Sequence, residues 1–172
     1  MANPDYPTIR QDNLRLSELA VSYVKRKMTI GASNKISDLL TSLIAPEWSR
    51  TCVAGIRKDP YTGDTIFSKL RTIAHRASEA GCGNCGEQAA IAFIWLYDKK
   101  VGPLDYMSRT NADHAFVVVG RIGSSPLDDP SKWGDNCYVC DPWDEEAYHV
   151  RSIDRKMYGG GVIAPRSIAR SN

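Results

Sequence analysis

A chain of 172 residues, 42% hydrophobic and 24% charged, has the size and make-up of one globular domain, which buries about two-thirds of its unfolded surface. These proportions exclude a disordered chain, a collagen-like repeat and a coiled coil. With 22 basic and 20 acidic residues the net charge is +2, so the basic excess that phosphate contacts demand is missing and no nucleic-acid partner is expected.

Residues 1–13 are polar and contain Pro, and are read as a flexible N-terminus, not as a secretory signal peptide. The chain then either stays where it is made or is exported by a route that needs no apolar signal. The rest, 14–172, is read as a single domain, with a helical part over 14–80 and a central helix plus sheet over 81–172. Apolar residues at three- and four-residue steps predict the helices. Leu16, Leu19, Ala20, Tyr23 and Val24 form the first stripe. Ile36, Leu39, Leu40, Leu43 and Ile44 form a second, with Asn34 as cap and Pro46 after its stop. Ile66, Leu70, Ile73, Ala74 and Ala77 form a third, with Asp64 or Thr65 as N-cap and Gly81 as terminator. All three read as core packing.

From Gly81 the texture changes. The run 81–86 is a Gly-rich turn, and Glu87 to Tyr97 follows as a helix that is apolar almost all round, hence buried. Its longest apolar run, Ala89 to Tyr97, is nine residues, whereas a bilayer needs about 20, so no membrane insertion is expected. Strands are predicted at Leu104–Ser108, at His114–Gly120, at Cys137–Cys140 and at Ala147–Ile153. Ile122–Asn136 is read as a surface loop, and Tyr158–Gly161 as a flexible turn. The order gives an α+β arrangement of N-terminal helices and a buried central helix packed on an antiparallel sheet.

Three residues carry candidate chemistry. Cys85 stands where a turn opens a helix, so the dipole and free N–H groups favour a thiolate and can hold an oxyanion. Gly83 and Gly86 leave the backbone room to approach a substrate. His114 begins the strongest strand and can move the thiol proton. Asp141 ends the next strand and can fix the imidazole tautomer. An antiparallel hairpin brings the first residue of one strand beside the last of the other. Of the remaining histidines, His75 reads as a surface residue, and His149 has no partner signal.

The cysteine count, five, is odd: Cys52, Cys82, Cys85, Cys137 and Cys140. One thiol at least is free unless it bridges to another chain, and a reducing compartment is the simpler assumption. The spacing between Cys82 and Cys85 permits a bridge that would silence the nucleophile. A competing reading takes Cys82, Cys85, Cys137 and Cys140 as four ligands of a zinc-stabilised interaction module. Against it, Cys137 and Cys140 lie in an apolar strand whose i and i+3 residues point to opposite faces.

Three blocks, Gly83-Asn84-Cys85-Gly86-Glu87-Gln88-Ala89, Asp113-His114-Ala115-Phe116-Val117-Val118 and Val139-Cys140-Asp141-Pro142-Trp143, resemble the papain-like and transglutaminase-like superfamily. Within it they resemble papain-fold toxin and effector domains, the glutamine deamidases of bacterial dermonecrotic toxins and injected effectors. The resemblance implies a papain-like fold and a cysteine hydrolase. It casts Cys85 as nucleophile, His114 as base and Asp141 as orienting carboxylate. It further implies a virulence toxin, secreted without a signal peptide, that acts in the host cytosol on a host protein carrying a reactive Gln. Action in the cytoplasm of its own cell is the alternative. No cofactor or metal is expected, and a monomer is. A cysteine protease and a transglutaminase share the same triad. Papain has a Gln upstream of its Cys as oxyanion donor; Glu79 stands here, so Asn84, Gly83 and backbone N–H groups are the candidates. Trp143 is a candidate wall of the site, an ordinary core Trp being the other reading. Asp128–Glu146 holds seven acids and one Lys, and the tail from Arg151 five basic residues and one acid. Both read as solvated surface or as charge-matched docking faces.

Overall fold

The computed structural model describes residues 6–33, 46–109, 113–158 and 165–172. Helix α1 (Tyr6–Lys27) begins inside the stretch expected to be flexible. The stripe at Ile36, Leu39, Leu40, Leu43 and Ile44, like Gly159–Gly161, lies outside the described residues. Next comes α2 (Pro46–Arg57), a helix that the sequence reading lacks. Pro46, expected to follow the stop of the second stripe, is the first residue of this helix, the position where its missing N–H is harmless. Helix α3 (Ile66–Ala80) starts at Thr65, whose hydroxyl accepts from Ser68 N at 3.1 Å. It stops at Gly81, whose φ of 72° is the left-handed cap that glycine adopts without strain. Helix α4 (Cys85–Asp98) is buried along most of its length.

Strands β1 (Leu104–Arg109), β2 (Ala115–Val119), β3 (Tyr138–Asp141), β4 (Glu146–His149) and β5 (Pro165–Ser171) form one antiparallel sheet in the order β4-β3-β2-β1-β5. The fourth strand is shorter than expected. A 3₁₀ turn (Val150–Ser152) and helix α5 (Ile153–Tyr158) take up its predicted second half. Strand β5 is a further addition to the sequence reading.

Both faces of the sheet are covered, which explains the unbroken apolar run of β2. On one face Val117, Val119 and Cys140 pack with Ala20 and Val24 of α1, Leu70 and Ala77 of α3, and Phe93 and Leu96 of α4. On the other, Phe116, Val118 and Val139 pack with Trp133, Cys137, Val150 and Ile153. The segment read as a surface loop thus delivers a fully buried Trp133, whose indole N–H donates to Pro126 O at 2.9 Å. Among the described residues no helix is long and apolar enough to cross a membrane.

Candidate active site

Cys85 is the first residue of α4, and the turn before it is tied down on two sides. Ile30 N donates to Gly81 O at 2.8 Å, and Gly31 and Cys82 form a parallel bridge. Cys82 is also disulfide-bonded to Cys52 of α2. Cys82 therefore pairs with Cys52 and not with Cys85, a bond that goes against the simpler assumption of a reducing compartment. Cys85, Cys137 and Cys140 are free thiols.

The zinc reading fails on the same geometry. One of its four sulfurs is spent in the disulfide, and Cys137 and Cys140 pack in the clusters on opposite faces of the sheet. Burial pushes the Cys137 thiol up to about 12, and the Cys140 thiol is raised as well, which opposes the thiolates a metal requires. Among the described residues no three His, Cys, Asp or Glu side chains gather as a metal site.

His114 and Asp141 do meet. Carrying the Val117–Cys140 pairing one step further sets Asp141 across from Phe116, so His114, two residues earlier, is its diagonal neighbour. The His114 Nε2 to Asp141 Oδ2 distance is 2.6 Å. Asp141 is buried, and its other oxygen accepts from Asp144 N at 3.3 Å. The imidazole stacks on Phe116, with centroids 6.0 Å apart, and meets the edge of Trp143 at 5.6 Å. Trp143, half-buried, thus lies against His114.

With Nε2 committed to Asp141, Nδ1 is the ring nitrogen that remains, and Cys85 is close enough to raise the proton affinity of the ring. Cys85 Sγ lies 3.8 Å from the carbonyl oxygen of Asp113, and the residue is 5% exposed. Burial pulls the proton affinity of His114 down. The hydrogen bonds and charges of Asp141 and Cys85 outweigh it and raise His114 to about 9 from an ordinary 6.5.

The expected oxyanion residues separate. The Asn84 side-chain oxygen accepts from Ser33 N and Ser33 Oγ, both at 3.0 Å, so that oxygen faces the segment after α1. Gly83 does not open room for a substrate. A Cβ there would lie 2.6 Å from the Glu87 Cβ, and its N–H is directed at Gly31 O. Asn84 N–H is taken by Glu87 Oε2 at 3.0 Å. The N–H groups of Cys85 and Gly86 remain, in the first turn, where an α-helix offers no carbonyl.

Sequence reasoning missed the support behind this turn. Glu87 accepts a two-toothed ion pair from Arg57, at 2.7 and 2.8 Å, and the Tyr61 hydroxyl lies 3.4 Å away. Gln88 Nε2 donates to Gly83 O at 2.9 Å, and the buried Tyr106 hydroxyl donates to Gly86 O at 3.1 Å. One signal was available: Asn followed three residues later by Glu is a capping-box spacing. Arg57 carried none, since its helix was unseen.

The chain matches no protein-family model, no curated protein and no solved structure.

Proposed function

We propose that this protein is a cysteine-dependent hydrolase of papain-like, transglutaminase-like fold that deamidates glutamine side chains on a partner protein. The observation that carries the reading is the 2.6 Å contact of His114 with Asp141, on an imidazole whose proton affinity is also raised by Cys85 at the mouth of a buried helix. A carboxylate fixes the tautomer, the imidazole moves protons, and the sulfur attacks.

The steps follow from those roles. The Cys85 sulfur anion bonds to the carboxamide carbon, and the carbonyl electrons move onto oxygen. The N–H groups of Cys85 and Gly86 hold that oxyanion; losing one such donor costs about 10²–10³ in rate. Protonated His114 passes its proton to the nitrogen, ammonia departs and a thioester remains. Water then gives a proton to neutral His114 as it attacks. The carbon–sulfur bond breaks, leaving glutamate and the thiol.

Two observations favour this substrate over a peptide bond. The thiol is almost enclosed, and the slender end of a Gln side chain reaches such a group more readily than a backbone does. The three sequence blocks resemble deamidating toxin domains. The Cys52–Cys82 bond suits a chain that passes through an oxidising exterior before acting on a host protein.

The test is a search for mass changes in a eukaryotic lysate, with Cys85→Ala as control. Cys85-dependent Gln-to-Glu conversion supports deamidation. New chain ends that depend on Cys85 would make the protein a protease, and cross-linked glutamines a transglutaminase.

A further inference from the structure

We propose that Glu87 and Gln88 are a pair of positioning residues that lock the Gly83–Asn84 peptide plane and so aim Cys85 at a carbonyl. The inference rests on the reading of Cys85 as an acyl-transfer nucleophile. One peptide unit carries the Gly83 carbonyl and the Asn84 N–H. Gln88 Nε2 donates to the first at 2.9 Å, and Glu87 Oε2 accepts from the second at 3.0 Å. Both polar ends of a single plane are thereby held by side chains from the first turn of the helix that this plane introduces.

The arrangement is more than a helix cap. A capping box needs only two contacts, the Asn84 side chain with the Glu87 N–H and the Glu87 carboxylate with the Asn84 N–H, and both are present. Here the same carboxylate also takes Arg57 Nε and Nη2, so a 4% exposed anion has a counter-ion and its oxygens are filled. Such a buried pair is weak evidence for stability, because packed apolar residues often serve as well. What it supplies is direction. The next peptide unit carries the Cys85 N–H, one of the two proposed oxyanion donors, and a rotation of the locked plane would swing that N–H away from the reacting oxygen. Gly83 fits the same scheme, since the Glu87 stem occupies the place its side chain would take.

Two probes separate aim from reactivity. p-Nitrophenyl acetate acylates a thiolate through an oxyanion, the Sγ–carbon bond forming as p-nitrophenolate leaves. Iodoacetamide alkylates the same sulfur by displacing iodide and uses no oxyanion. Full-length wild type, Glu87→Gln and Gln88→Met are each treated with both, with Cys85→Ala as blank. Loss of aim lowers the acylation-to-alkylation ratio by at least about tenfold, the scale of a misplaced oxyanion donor. A structural role alone moves both rates together and leaves the ratio unchanged. A ratio within about twofold of wild type in both variants overturns the inference. Should one variant fail to fold, the other decides. Failure of the deamidase reading looks different: the ratio drops, yet no Gln-to-Glu conversion occurs in lysate. A Cys85 that takes up neither probe overturns both.

Discussion

Burial works against the proton on His114, and the ring keeps it chiefly because Asp141 hydrogen-bonds and attracts the charged form, with Cys85 adding to the effect. Its folded value, about 9, lies above the ordinary 6.5. The stability contributed by the imidazolium is thus complete below about pH 6.5 and is lost as pH rises through about 9. Asp141→Asn removes the strongest of the bonds that raise it. The wild type's margin over this variant should shrink between those limits, as read by urea midpoints at about pH 6 and about pH 10. A margin that grows with pH would refute the assignment. If the proposed deamidation holds, with His114 the acid that protonates the leaving ammonia, the alkaline limb of kcat/KM should fall from about 9 toward 6.5 in the same variant. At Gly83 the conflict is steric. An added methyl meets the Glu87 Cβ at 2.6 Å, so Gly83→Ala should lose about 1–3 kcal/mol as an overpacked site, measured by thermal melting. Cys85, His114 and Asp141 were legible because each ends a strongly patterned element. Glu87 was half legible, through its spacing from Asn84. That Gly83 serves packing was invisible, since only the fold brings the Glu87 stem against it.

Elements with their own punctuation could be read directly. Thr65 and Gly81 bracket α3, and the apolar run of β2 announces a strand covered on both faces. Helix α2 hid because its apolar stripe is short: Val53 is buried, Ile56 is only partly so, and Trp48 is exposed. Strand β5 hid because its residues are mostly polar. It earns its place through pairing with β1 and through Ser167 and Arg170, which a search for apolar alternation passes over. The unseen α2 is also why the disulfide was missed, for a Cys52 without a location could not be paired. That bond closes a 30-residue separation between α2 and the turn before α4. By chain-entropy reasoning its removal costs about 3–4 kcal/mol. Cys52→Ala should therefore unfold at lower urea than oxidised wild type. Reductant should bring wild type down to the variant's midpoint and leave the variant where it is. A variant that responds to reductant as wild type does would refute the pairing.

Across the whole molecule, the sheet edge opposite the site depends on one carboxylate. Asp105 in β1 is fully buried and accepts from Arg121 Nε at 2.9 Å, Arg121 Nη2 at 3.0 Å and Ser167 Oγ at 2.9 Å. Arg170 Nη1 also donates to it, while Arg170 Nη2 donates to Arg121 O at 2.9 Å. Arg121 Nη1 goes on to the carbonyls of Ile122 and Ser125. One acid thereby joins β1, the segment after β2 and the last strand. The effects of its removal are asymmetric. Asp105→Ala leaves the buried Arg121 guanidinium without its counter-ion, a defect of about 3–5 kcal/mol. Asp105→Asn keeps an acceptor and should lose less. The damage should also be local at first: amide exchange in β5 accelerates, while α4 and the β2–β3 pairing, which hold Cys85, His114 and Asp141, stay protected at low temperature. Cys85 alkylation at low temperature should then match wild type even though melting is depressed. If exchange in α4 rises together with that in β5, the edge and the site form one cooperative unit, and the division drawn between them is wrong.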